Sequence, residues 1–351
     1  MKCLAEYEEK IHSCSKCGLC QSVCPIYKIT GNDCTVSRGQ FIMLRGIIKG
    51  DLKMSKTINR YLDLCLKCNA CSKFCPAGID VVDIIASAKA EYFKKSPLSK
   101  LNSFILKNFI LGFGLNIMSI FSHKIKSQKF DKKIVYFGGC GGKLEGNKDV
   151  VTLMNSMGIE VITPDFDCCG IPFYTKGDFN AFEQYMKNFF EKLEQTGIKE
   201  IVTNCASCEK TIKSYKKWYP KKEYTVRNIF EYIREQNLSL ELKNSVKVTF
   251  HKPCNFANFE DIERILNNTK NLEYIPMENF DKCCGLNGVL NIKEYKIIKE
   301  LFKEKHENIV KTGAKTVLTS CLGCEKVLRL FSLGKYQVDD FTKFLCRNLK
   351  Q

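Results

Sequence analysis

Apolar and polar residues follow two different patterns along this chain. Up to about residue 95, apolar residues recur at the spacing of one helix face, which predicts helices over residues 37–49, 57–64 and 79–93. From about residue 131 onward, short runs rich in β-branched residues alternate with helical stretches. The first part is therefore predicted to be mainly helical, and the second part to be of the α/β type.

Six of the short runs in the second part predict β-strands. They cover residues 133–137, 160–163, 200–203, 246–250, 272–275 and 316–319. Helical stretches at 150–157 and 178–195 separate the first three runs. Strands that alternate with helices pair in parallel, so we expect small parallel sheets.

An apolar segment, residues 104–121, lies between the two parts and is flanked by lysines. Its length is at the lower limit for a membrane span, and Lys107, Asn108 and two internal glycines weaken that interpretation. A helix that lies on the inner face of the membrane, with its apolar side down, is a second interpretation. The simplest interpretation is an apolar linker that packs against its own domains or a partner subunit.

Composition changes this picture mainly through cysteine, of which the 351 residues include 21. The first ten residues are polar and lack the apolar core of a signal peptide, so we expect a cytoplasmic protein. In a reducing compartment, clustered cysteines indicate metal or redox chemistry rather than disulfides.

The formal net charge is +17, which would suit nucleic acid, an anionic membrane or an acidic partner. Only eight of the 55 basic residues are arginine, and the lysines are scattered along the chain. Proteins that read nucleic acids favour the arginine fork, and metal-bound thiolates would reduce the positive charge. We therefore expect no nucleic-acid partner.

Eight cysteines of the helical part form two copies of the pattern C-x2-C-x2-C-x3-C-P, at a constant offset of 51 residues. This is the ferredoxin spacing for two cubane [4Fe–4S] clusters, in which the fourth cysteine of each run ligates the other cluster. The expected ligands are Cys14, Cys17, Cys20 and Cys75 for one cluster, and Cys65, Cys68, Cys71 and Cys24 for the other. Two zinc sites are the alternative, but such sites usually use two CxxC pairs each.

A proline follows the fourth cysteine of each run, at Pro25 and Pro76. Proline suits the first position of a helix, where its missing N–H costs nothing. We expect a helix to leave each motif with its positive end towards a negatively charged cluster.

The α/β part is an internal duplication with a period near 115 residues, which is typical of tandem domains. Each copy contains a single cysteine, a Cys-Cys-Gly triplet and a CxxC pair. The first copy has Cys140, Cys168, Cys169, Cys205 and Cys208, and the second has Cys254, Cys283, Cys284, Cys321 and Cys324. All ten follow predicted strand ends, where parallel sheets bind their ligands. Five thiolates exceed the four that a zinc ion or a cubane cluster needs.

This duplicated pattern resembles the cysteine-rich CCG domain of heterodisulfide reductases, of the iron–sulfur subunits of glycolate and lactate oxidases, and of the anchoring subunit of anaerobic glycerol-3-phosphate dehydrogenase. In the heterodisulfide reductases, the five cysteines of each CCG domain hold a noncubane [4Fe–4S] cluster. The resemblance implies one such cluster at each of the two five-cysteine sets above. A structural zinc ion in one CCG domain remains the alternative.

The order of a two-cluster ferredoxin followed by two CCG domains is similar to that of the glycolate oxidase subunit and of the fused heterodisulfide reductase subunit. Ser37-Arg38-Gly39 and His251-Lys-Pro-Cys254 look more like the glycolate oxidase subunit. Glycolate oxidase subunits often lack some CxxC cysteines, whereas this chain keeps all ten CCG cysteines.

The resemblance implies an electron-transfer subunit that takes electrons from an FAD-containing partner oxidising a 2-hydroxy acid such as glycolate or lactate. It would pass them one at a time to a quinone or another carrier. The alternative is a heterodisulfide reductase-like subunit that cleaves a disulfide at the CCG clusters. The chain has no Gly-rich phosphate loop after a strand, so we expect it to bind no flavin or nicotinamide itself. No general base is evident, so no catalytic residue is assigned.

The expected fold class is a multidomain α+β protein. An α-helical two-cluster ferredoxin-type domain (1–95) precedes a linker (96–130) and two tandem α/β CCG domains (131–244 and 245–351). Cys3, Cys34 and Cys346 belong to no motif and are taken as idle thiols. His251, three residues before Cys254, is interpreted first as a packed loop residue and second as a hydrogen-bond donor or proton carrier near a cluster.

Overall fold

The computed structural model describes residues 1–108, 117, 120, 122–236, 239–256, 258–285 and 294–350. The chain forms two compact units. The first comprises Met1–Ile105, Ile171–Phe182 and Cys283–Glu304, and the second comprises Leu106–Gly170, Glu183–Lys282 and Lys305–Gln351. The predicted fold class is confirmed, because a helical N-terminal part precedes two α/β parts with small parallel sheets.

The first unit is helical. Its helices are α1 (Glu8–His12), α2 (Leu19–Val23), α3 (Pro25–Thr30), α4 (Ser37–Lys49), α5 (Lys56–Asp63), α6 (Ala70–Lys73), α7 (Val81–Lys95) and α8 (Pro97–Ile105). Helix α11 (Ile171–Lys176) also belongs to this unit, although it comes later in the sequence. Short 3-10 turns lie at Ala5–Tyr7 and Asp33–Thr35. Helices α4, α5 and α7 match the three predicted ones within two residues. Their apolar faces meet in one core around Ile11, Leu44, Leu62 and Ile85, each with no exposed area.

Helix α11 packs against α7 at a distance that only glycine permits. Gly177, directly after α11, has φ +83°, and a Cβ there would lie 2.4 Å from the Ala90 nitrogen of α7. The Tyr174 hydroxyl of α11 donates to Asp83 Oδ1 of α7 at 2.6 Å. The segment after the first Cys-Cys-Gly triplet is therefore held firmly within the first unit.

The second unit contains two four-stranded parallel sheets. The strands are β1 (Lys132–Tyr136), β2 (Ile159–Ile162), β3 (Glu200–Thr203), β4 (Thr225–Asn228), β5 (Glu241–Phe250), β6 (Lys270–Tyr274), β7 (Thr316–Thr319) and β8 (Gln337–Asp340). The sheet orders are β2-β1-β3-β4 and β6-β5-β7-β8. Because β5 to β8 repeat β1 to β4 in sequence, the two orders are the same, as the duplication predicts.

Helices connect these strands. They are α9 (Gly139–Glu145), α10 (Lys148–Ser156), α12 (Phe179–Glu194), α13 (Ala206–Ser214), α14 (Ile229–Glu235), α15 (Phe259–Asn268), α16 (Tyr295–Lys311), α17 (Leu322–Phe331) and α18 (Phe341–Asn348), with a 3-10 turn at Tyr215–Lys217. One buried core serves both sheets, since Ile134, Val248 and Leu318 belong to it. Phe230 of α14 stacks on Phe341 of α18 with ring centroids 5.1 Å apart, each in the first turn of its helix.

The sequence did not predict β4 and β8. Each has four residues with one buried apolar side chain, Val226 and Val338 respectively. Such short polar runs pair because β3 and β7 offer them free edges, with Ile201 opposite Val226 and Val317 opposite Val338.

Among the described residues, no helix combines the length and the apolar character needed to cross a membrane. The predicted apolar segment 104–121 falls largely on residues 109–116, 118, 119 and 121, which lie outside the described residues. Helix α8 begins at Pro97, before this segment.

Candidate metal centres

The two cysteine motifs of the first unit fold into loops of the same conformation. Lys16 and Lys67, each directly before the second cysteine of its motif, have φ 60° and 54°. Gly18 and Asn69, directly after that cysteine, have φ 86° and 65°. Left-handed residues in tight loops build backbone concavities that bind anions, including Fe–S clusters.

These loops form two recesses lined by thiols. The first is lined by Cys14, Cys17, Cys20 and Cys75, and also by Cys71. The second is lined by Cys24, Cys65, Cys68 and Cys71. The structure thus brings together the two crossed sets predicted from the spacing. Four thiols around one recess are the donors that a [4Fe–4S] cluster requires, so the residues present fit this group.

Burial governs the protonation of these thiols. It raises the pKa of Cys24 to about 11 and raises that of Cys71 further, with smaller contributions from neighbouring thiolates. Without metal these thiols hold their protons, which metal binding would displace. Burial, and then the nearby charge of Lys89, lower the pKa of Lys67 to about 7. Lys89 itself is buried and pairs with Asp63 at 2.5 Å.

The two prolines act differently. Pro25 opens helix α3 directly after Cys24, as predicted. The prediction is wrong for Pro76, because the Gly78 N–H closes a turn on the Cys75 carbonyl at 3.0 Å. Helix α7 begins only at Val81, whose N–H is capped by the Ser72 hydroxyl at 3.0 Å.

The five cysteines of the first copy form a contiguous group in the second unit, in which three thiols are buried and those of Cys140 and Cys205 are half-buried. The Cys168 thiol hydrogen-bonds with Cys140 and Cys169, and the Cys208 thiol hydrogen-bonds with Cys169 and Cys205. These hydrogen bonds, and then burial, raise the pKa of Cys168 and Cys208 well above the usual thiol value. Five such thiols at one place fit an Fe–S group or a zinc ion, both of which bind thiolates.

Strand ends position these cysteines. Cys205 follows β3 and precedes the first residue of α13, and Cys208 lies in the first turn of that helix. Gly170, after the Cys-Cys pair, has φ 75°, and Gly285 in the second copy has φ 85°. Both are left-handed positions that favour glycine.

In the second copy, the CxxC pair follows β7. Cys321 precedes α17 and hydrogen-bonds with Cys324 in the first turn of that helix. Cys254 lies in the loop after β5 and is half-buried. Cys283 and Cys284 belong to the first unit, where the Gly285 N–H donates to Cys283 Sγ at 3.5 Å and Cys284 is buried.

The CxxC segments of the two copies meet, which the sequence did not reveal. The Cys205 thiol hydrogen-bonds with Cys321, and this bond is the main reason that the pKa of Cys321 is lowered. The Ala206 N–H donates to the Ser320 carbonyl at 2.9 Å, and the Ser207 hydroxyl lies 3.4 Å from Cys321 Sγ. Spacing repeats show that two copies exist, but they do not show which ends of the copies face each other.

A polar recess adjoins the first cysteine group and includes residues of both copies. Cys140, Cys205 and Cys208 line it together with Asp340 of β8 and Lys343 of α18. The Tyr136 hydroxyl donates to Asn204 Oδ1 at 3.0 Å, and Asn204 Nδ2 donates to Asp340 Oδ1 at 3.4 Å. Burial raises the pKa of Asp340 to about 7. Sequence reasoning missed this carboxyl, which lies at the end of the unpredicted strand β8.

The remaining candidates are the three cysteines outside the motifs and His251. Cys3 is exposed, Cys34 is half-buried, and Cys346 donates to the Asp149 carbonyl at 2.9 Å. His251 has no exposed area, and burial lowers its pKa to about 3, so its imidazole is neutral.

Two family models match the chain. The model described as a 4Fe-4S dicluster domain matches residues 10–79, and that of the cysteine-rich domain matches residues 134–213 and 248–329. Together they cover more than half of the chain and coincide with the cysteine sets described above. The chain therefore contains one 4Fe-4S dicluster domain followed by two cysteine-rich domains.

Relatives of this iron–sulfur protein include subunits of oxidoreductases. It is 27% identical to a fumarate reductase (CoM/CoB) subunit from Methanothermobacter marburgensis, over 90% of this chain and 67% of the relative. It is 22% identical to a probable glycolate oxidase iron–sulfur subunit from Bacillus subtilis, over 92% of this chain and 89% of the relative. The expected resemblance to glycolate oxidase subunits is confirmed.

A crystal structure of a hypothetical protein from Helicobacter pylori has the same fold. The TM-score is 0.52 at 12% identity, and the match covers 90% of this chain and 67% of the other. At this identity the likeness concerns the fold alone.

Proposed function

We propose that this chain is the electron-transfer subunit of a flavin-dependent 2-hydroxy acid dehydrogenase complex of the glycolate or lactate type. The observation that carries the proposal is the pair of thiol-lined recesses in the first unit, together with a chain of cysteines that continues across both copies in the second. The similarity to the glycolate oxidase subunit supports the choice of partner. The name of the fumarate reductase relative also describes an oxidoreductase assembled from subunits.

The proposed ligands are the four cysteines of each recess and the five of each cysteine-rich domain, with zinc as the alternative in one of those domains. Fe–S clusters carry one electron at a time, so they divide the electron pair that a flavin delivers. The chain's own residues fix the positions of the thiolates, exclude water from them and compensate their negative charge. Lys89, held by Asp63, contributes positive charge in the first unit.

The proposed boundaries are a dicluster domain over residues 1–95, a linker over 96–130, and cysteine-rich domains over 131–244 and 245–351. The proposed donor is an FAD-containing dehydrogenase subunit, and the acceptor is a quinone or another carrier. We place the protein in the cytoplasm, with peripheral contact to the inner face of the membrane through residues 104–121. Exposed apolar residues of α8, Leu98, Leu101 and Phe104, together with Lys100, support such a contact.

A second function, cleavage of a disulfide, is favoured by one specific observation. The CxxC segments of both copies meet at Cys205 and Cys321, beside a recess that contains an acid with a pKa of about 7. Cleavage of a disulfide takes two electrons and two protons and yields two thiols. Asp340 and Lys343 are the residues placed to hold such protons.

One experiment separates the two functions. The holoprotein is reduced anaerobically with dithionite, freed of excess reductant, and mixed with menadione or with an organic disulfide. The proposed electron-transfer function predicts rapid reoxidation of the clusters by menadione and no release of thiols from the disulfide. Reoxidation by the disulfide, with two thiols released for every two electrons, would replace the proposal with the second function.

A further inference from the structure

Phe137 and His251 occupy the same position in the two copies. They are 114 residues apart, the offset that separates Cys140 from Cys254. Each follows the first strand of its copy, and its N–H donates to the carbonyl at the end of the third strand. The Phe137 N–H donates to Val202 at 2.8 Å, and the His251 N–H donates to Leu318 at 2.8 Å. The two side chains therefore start from equivalent backbone.

The first copy places an apolar ring at this position. Phe137 is 1% exposed and packs on Phe166 and Phe189, with ring centroids 5.1 Å and 5.7 Å away. A Cβ on Gly139 would lie 2.9 Å from this ring and 3.6 Å from Cys208 Sγ. The ring therefore lies beside the last cysteine of the first set and needs no polar partner.

The second copy places an imidazole there, and its polar atoms are not satisfied. His251 is fully buried, and among the residues that the structure describes neither ring nitrogen has a partner in hydrogen-bond geometry. Leaving a buried polar atom unpaired destabilises the fold. One ring nitrogen lies within 4.8 Å of Cys324 Sγ, the last cysteine of the second set.

The surroundings decide which nitrogen carries the proton. The Phe280 backbone carbonyl lies near the ring, while burial, and then the charge of Lys305, lower the pKa of the ring and keep it neutral. A carbonyl only accepts hydrogen bonds, so the nitrogen that faces it carries the proton. The other nitrogen then has a lone pair and cannot donate to a sulfur. Histidines that bind metals commonly orient their second N–H towards a backbone carbonyl.

We infer that His251 is a nitrogen ligand of a metal bound at Cys324 of the second cysteine set. This inference rests on the proposal that this set binds a metal, whether the iron of an Fe–S group or a zinc ion. Thiolates and imidazoles serve both. The two cysteine-rich domains are then chemically different, with sulfur ligands in the first and a mixed sulfur and nitrogen set in the second. A neutral imidazole ligand raises the reduction potential of an iron site relative to a thiolate.

The test uses the anaerobic holoprotein labelled with ¹⁵N-histidine. The chain has four histidines, so the label marks few sites. Pulsed EPR of the reduced protein should show a strongly coupled histidine nitrogen on the signal that Cys254→Ser removes. The coupling should disappear in His251→Phe, which copies the residue of the first domain. It should persist in His306→Phe, because His306 Nδ1 already pairs with the Tyr336 hydroxyl at 3.2 Å.

If the second set holds zinc, the same variants are read by metal content instead. His251→Phe should then lose zinc, and His306→Phe should keep it. A fully loaded wild-type protein without a coupled histidine nitrogen, or zinc content unchanged in His251→Phe, would overturn the role of His251. Absence of any metal at the second set in the wild-type protein would instead contradict the metal assignment itself. The result for the wild-type protein does not depend on whether any variant folds.

Discussion

Asn228 in the first copy and Asp340 in the second occupy equivalent positions, but only Asp340 is ionisable. Asn228 caps α14, and its amide donates to the buried Glu209 carboxylate at 3.2 Å. Asp340 caps α18 at the corresponding point, and the charge of buried Glu325 lies close to it. Two buried carboxyls that are close together do not both ionise easily.

Asp340 should therefore make stability depend on pH. Its pKa is raised from 3.8 to about 7, mainly by burial, so the folded state binds more protons than the unfolded state between these values. Stability should fall as pH rises through this window and level off above it, by about 1.4 kcal/mol for each pKa unit. Asp340→Asn keeps the helix cap and removes the titration. Relative to the wild type, this variant should gain stability between pH 5 and pH 8.

The measurement is the apparent midpoint of thermal unfolding of anaerobic holoprotein, followed by circular dichroism at several pH values. Asp165→Asn is the matched control, since the Asp165 side chain is 71% exposed. Parallel pH profiles of Asp340→Asn and the wild type would show that Asp340 does not titrate in this window.

Individual elements were predictable where their own residues decide the structure. Strand β3 has the predicted bounds because its apolar side chains are buried, and α4 has them because an amphipathic pattern fills all its turns. Strands β4 and β8 depend on the edges they join, and α7 starts after a turn that Gly78 allows. The meeting of Cys205 with Cys321 depends on the packing of two sheets. Such features follow from tertiary contacts that a local pattern does not contain.

The approach of α11 to α7 should be sensitive to one methyl group. Gly177→Ala places a Cβ against the α7 backbone at a left-handed φ, so we expect a loss of several kcal/mol of stability. Gly197→Ala is the control, because Gly197 has φ +67° but no neighbour within 4 Å of the added Cβ. It should cost only about 1 kcal/mol. Thermal unfolding of the holoprotein compares the two, and equal losses would show that the close approach contributes nothing.

At the scale of the whole molecule, the sequence predicted most of the candidate chemistry. Two cysteine runs at one offset placed both thiol-lined recesses, because ligand spacing is a property of short loops. The ten cysteines of the duplication stand out because the same pattern recurs at a period near 115 residues. Asp340, Asn204 and Tyr136 were missed, because their positions at strand ends matter only once the sheets are assembled. Alignment of the two copies distinguishes His251, because the first copy has Phe137 at the equivalent position.

The most direct test of the account is the iron, acid-labile sulfide and zinc content of anaerobically purified protein, with EPR of its oxidised and reduced forms. Clusters in the dicluster domain and in both cysteine-rich domains predict about sixteen iron atoms per chain, four for each [4Fe–4S] unit. About twelve with one zinc ion would fit zinc in one cysteine-rich domain. About eight iron atoms or fewer would contradict the account, because the cysteine-rich domains would then carry no electrons.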